Sequence, residues 1–180
     1  LLSRRDRRIQ ALAPVLHPLL AAHDLPLPEH CGYWAGWVRL KAQHVGSPRW
    51  TESFLAACAA PGAFAAIPTA TAQCYAETAS SALARVRARD GLDDVALLRA
   101  LLRVFERGDR PGAQRGALIW LRLLGLTERL WTERARLFAA LPGASGSVVE
   151  LAVDSLLAGG PDGESLTGAE LTALALEGLP

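Results

Sequence analysis

The sequence has no methionine, a single lysine (Lys41) and two tyrosines among its 180 residues. Its three cysteines, Cys31, Cys58 and Cys74, are scattered. With no Cys-x-x-Cys pair and an odd number of thiols, neither a zinc module nor a disulfide framework is indicated. Isolated cysteines in Ala-rich surroundings read as small buried hydrophobes, and a reducing cytoplasm fits them. Basic residues are missing from the last forty positions. All 19 Lys and Arg precede residue 141, and the remainder carries six acids. A bilayer-spanning run is missing too. The longest uncharged stretch, Ser53 to Ala76, is broken by Pro61-Gly62 and Pro68 and filled with Ala, Thr and Gln, so no membrane partner is expected. Without a methionine, residue 1 cannot be an initiator, and the chain reads as one domain over 1–180 excised from a longer polypeptide.

Sequence motifs for catalysis are equally scarce. There is no G-x-x-x-x-G-K-[ST], no G-x-G-x-x-G and no H-E-x-x-H. Gly143-Ala144-Ser145-Gly146-Ser147 lacks the final glycine of a nucleophile elbow, and no strand precedes it. Gly159-Gly160-Pro161-Asp162-Gly163 reads as a turn. His30 and His44 are fourteen residues apart, about 21 Å along a helix, and cannot share one ion. No metal or cofactor is expected.

What remains is a globular, helical composition. Hydrophobic residues make up 51% and charged ones 21%. Period-2 alternation and hairpin turns are wanting. The punctuation instead predicts about nine helices: 3–22, disturbed at Pro14 and Pro18; 28–45; 47–60; 68–89; 93–107; 111–125; 127–142; 147–158; and one after 167. Thr127 reads as a cap, and Ser147-x-x-Glu150 and Thr167-x-x-Glu170 read as capping boxes. Val95, Leu98, Leu102 and Phe105 follow helical spacing. The later helices begin 16 to 20 residues apart, so two make a unit of the size found in tetratricopeptide or HEAT hairpins. The match is to a spacing, with no family motif in register. An all-α helix-hairpin array, or α-solenoid segment, is the expected architecture, and a compact bundle the alternative.

The densest chemistry is HCGYWAGW, residues 30–37. On a helix, His30, Trp34, Trp37, Lys41 and His44 fall on one stripe, while Cys31, Ala35, Val38, Ala42 and Val45 form a small apolar stripe beside it. The apolar stripe is expected to pack. The Trp/His stripe flanks it, as core rim or as a groove edge. The function expected from this pattern is a non-catalytic interaction or scaffold module, binding a protein partner through His30, Trp34, Trp37, Lys41, His44 and Trp50. A second reading places nucleic acid on a ridge of Arg99, Arg103, Arg107 and Arg110, with no aromatic residue interleaved for base stacking. A third, a helical-bundle enzyme or ligand-binding domain, has only His17, His23, Asp24 and His30 to draw on. Arg4, Arg5, Arg7 and Arg8 crowd the start of the first helix, the end that disfavours cations.

Overall fold

A computed structural model describes residues 4–38, 49–66, 84, 87–88, 91–160 and 163–177. Among these residues every regular element is helical and no strand occurs. Eight α-helices are present among the described residues, where nine are expected for the chain. The range 68–89, expected as the fourth, lies almost wholly outside the described residues. The chain divides into two compact units, Leu1–Asp93 and Asp94–Pro180.

In the first unit, α1 (Arg4–Ala22) packs on α2 (Cys31–Val38). Helix α2 also meets α3 (Trp50–Ala59) and a 3-10 turn, Ala63–Ala66. Pro14 and Pro18 lie inside α1, which continues through both. Proline at 14 removes the amide that would bond the Gln10 carbonyl within the helix. That carbonyl lies against Gly36 of α2 instead. A Cβ at Gly36 would collide with the Gln10 oxygen and stand 2.9 Å from Ala13 Cβ. The two helices therefore meet backbone to backbone, and only glycine permits the approach.

Helix α2 is buried from Gly32 to Val38. The expected division into a packed stripe and a flank fails, because α1, α3 and the 3-10 turn all pack on its eight residues. Cys31, expected among the packed residues, is exposed at the first helical position. Arg49, at the N-cap of α3, adopts φ 61° in the left-handed region, unusual for a residue with a Cβ. Its guanidinium donates to the Leu25 carbonyl at 2.7 Å and to both Glu52 carboxylate oxygens at 2.7 and 2.8 Å. The bonds from Arg49 hold the Glu52 carboxyl below its ordinary value.

In the second unit, α4 (Asp94–Glu106) and α5 (Pro111–Leu123) lead into a 3-10 segment, Thr127–Glu133. Then follow α6 (Arg134–Ala140), a 3-10 turn at Leu141–Gly143, α7 (Gly146–Leu157) and α8 (Gly168–Glu177). Leu98, Leu102 and Phe105 are buried as their spacing predicts, whereas Val95, in the first turn of α4, is exposed. The helix expected over 127–142 begins with the tighter winding. Three residues per turn set Leu130 and Glu133 on one line, both buried, and there Glu133 receives Arg99 at 2.7 Å. Two expected caps are corrected: Thr127 lies within the 3-10 segment, which starts after Leu126, and α7 starts after Ser145, so Ser147 is inside the helix and Ser147/Glu150 form no box. The Ser145 amide instead donates to Gln114 Oε1 at 2.6 Å. The second box forms: the Thr167 amide donates to Glu170 at 2.8 Å, and the Glu170 amide to Thr167 Oγ1 at 3.3 Å.

Adding a methyl group to a helical glycine ordinarily stabilises by about 1 kcal/mol. Gly36→Ala reverses that sign and destabilises by about 1–3 kcal/mol, because the Gln10 backbone cannot yield. Gly168→Ala, with open space around its Cβ, is neutral or slightly stabilising. Thermal melts of the two variants check this.

Candidate functional site

The aromatic stripe lies in the core of the first unit. Trp34, Trp37 and Trp50 are between 2% and 4% exposed. The Tyr33 and Trp34 rings meet edge-on at 5.0 Å, Trp34 and Trp37 at 5.8 Å, and Trp50 stacks on Phe54 at 5.0 Å. Packing accounts for these three tryptophans, and their rings offer no open surface in this conformation. His30 is half-buried just before α2, and its Nδ1 accepts the Gly32 amide at 3.0 Å. The imidazole thus does for α2 what a serine or aspartate cap usually does. Lys41 and His44 lie outside the described residues.

One polar chain runs through this core. Tyr33 Oη lies 2.8 Å from His17 Nδ1, and His17 Nε2 lies 3.4 Å from Ser53 Oγ. The order serine–histidine–tyrosine has the form of a nucleophile, a base and an orienting group. Ser53 is fully buried, however, and His17 and Tyr33 are nearly so. In this conformation the hydroxyl cannot meet a substrate, and the chain satisfies polar groups inside an aromatic core. Burial pushes the Tyr33 phenol up to about 12, with Arg49 pulling the other way. His23 and Asp24 are exposed in the turn after α1 and do not join His17.

The outward face of α1 is where the molecule departs from ordinary amphipathic design. Gln10, Ala13 and His17 point inward and are buried. Leu12, Val15, Leu16 and Leu19, at i, i+3, i+4 and i+7, are 51%, 64%, 37% and 52% exposed. Along this part of the helix the usual polarity is reversed: Gln10 and His17 are buried while four large apolar side chains face water. The exposed Arg8 extends the same line toward the N-terminus. The signal was in the sequence, since these four positions share one face. It is easily missed because leucines at helical spacing are conventionally assigned inward.

In the second unit the arginine ridge is interleaved with acid. Arg99 pairs with Glu133 at 2.7 Å and Arg107 with Asp109 at 2.9 Å. Nearby, Arg136 bonds Glu106 at 2.7 and 2.8 Å. Arg103 and Arg110 are exposed. Two of the four ridge cations are thus engaged by carboxylates, which weakens the field a phosphate chain would meet. Farther along, an open groove of about 330 Å³ is bordered by Leu156, Leu157, Leu166 and Leu171, with Glu164 at its edge. Leu157 is 62% and Leu171 44% exposed. Glu164 accepts Trp131 Nε1 at 2.5 Å, and Trp131 carries the Arg134 guanidinium 4.9 Å above its ring.

Among the described residues, no group of three or more His, Cys, Asp or Glu is placed to hold a metal ion, and no helix is long and apolar enough to cross a membrane. Compared with known proteins, the chain matches no family model, no curated protein and no solved structure.

The raised Tyr33 value carries a pH signature. A phenol whose folded value exceeds its ordinary 10.0 contributes stability that is complete below that value and is lost as pH rises toward about 12. Ultraviolet titration of tyrosinate should show one phenol with a midpoint near pH 12 in the native protein, absent from Tyr33→Phe. A Tyr33 midpoint at the ordinary value would contradict its burial.

Proposed function

We propose that this chain is a non-catalytic protein-interaction module, and that it docks a protein through the outward face of α1. The observation that carries the reading is the inverted polarity of that helix: four large apolar side chains in water, and a glutamine and a histidine inside. Leaving such a stripe wet forfeits burial worth about 25 cal/mol per Å² of apolar surface, which a partner would recover. The helix is also held firmly enough to serve. Its inner face meets Gly36 without intervening side chains, and His17 is engaged by Tyr33 and Ser53. A rigid helix loses little entropy on binding. The buried aromatic residues of α2 and α3 then act as the platform beneath the docking helix. The partner-binding role first read into Trp34, Trp37 and Trp50 becomes a supporting one. The hairpin-array reading of the helical spacing belongs to the same proposal, since such arrays commonly present long binding surfaces.

The test uses a photo-crosslinking amino acid placed at Val15 in the full chain, expressed in its own host. Discrete protein adducts are expected there and not from the same residue at Thr132, an exposed position on the second unit. If Val15 gave no adduct, or only the products also formed at Thr132, the α1 face would not be a docking surface.

A further inference from the structure

We draw no further inference here: the strongest candidate, the exposed apolar face of α1 at Leu12, Val15, Leu16 and Leu19, is the surface already read as a docking face, and nothing in the structure shows what covers it.

Discussion

The first unit depends on one close approach, where the Gln10 carbonyl of α1 meets Gly36 of α2. Pro14 frees the carbonyl from its intrahelical partner, and the glycine leaves room for it. Once the backbones touch there, the rest of the inner face of α1 is fixed by periodicity. Ala13 sits in the contact, and His17, one turn on, comes within 5.6 Å of the Trp37 ring and in reach of Tyr33 and Ser53. The residues on the opposite side of α1 have no alternative but to face outward. Their apolar character is therefore not an accident of a loose helix. It is the consequence of a contact that selects small and polar residues for the inside.

The second unit is held by a different device. Gln114 is buried, and its amide nitrogen donates to the carbonyls of Asp109 and Gly143 at 2.7 and 2.8 Å while its oxygen accepts from Ser145. One side chain thereby ties the loop before α5 to the loop before α7 and leaves no amide group unsatisfied. Around it, ion pairs stitch α4 to the segment that follows α5: Arg99 to Glu133, Arg136 to Glu106, and Arg129 to Asp94 at 3.3 Å. The arginines that looked like a phosphate-binding ridge are in part the outer fastening of this unit. The Arg136–Glu106 pair is exposed, and pairs of that kind contribute little, about 0–1 kcal/mol, so its role is chiefly to set charge pattern and register.

Helix content was legible because it rests on local signals. Gly and Pro punctuation located α4, α5, α7 and α8, and Thr167 with Glu170 gave a correct cap from two letters three residues apart. The misreadings have non-local causes. Whether the tryptophans of α2 lie on a rim or in a core depends on how many neighbours surround the helix, and periodicity does not report that. Ser145 is chosen over Ser147 at the start of α7 because Gln114, thirty-one residues away, takes its amide. The winding of 127–133 follows Glu133 turning inward to meet Arg99. The α1 stripe was visible as a pattern and invisible as a surface, since its direction is set by Gly36 and not by anything in α1 alone.

This division between local and non-local information also bears on function. An enzyme's site is usually announced by residues that violate local economy: strained nucleophiles, unpaired carboxylates, perturbed bases. Among the described residues, the candidate Ser53–His17–Tyr33 is closed to solvent and surrounded by rings. The departures that remain among the described residues include apolar side chains in water on α1 and at Leu157, and the buried Gln10 Nε2 and Trp37 Nε1, which have no hydrogen-bond partner. Apolar side chains held in water forfeit burial that a covering surface would recover. The charge asymmetry can be read from the sequence, whereas which apolar residues stay exposed is settled only by folding.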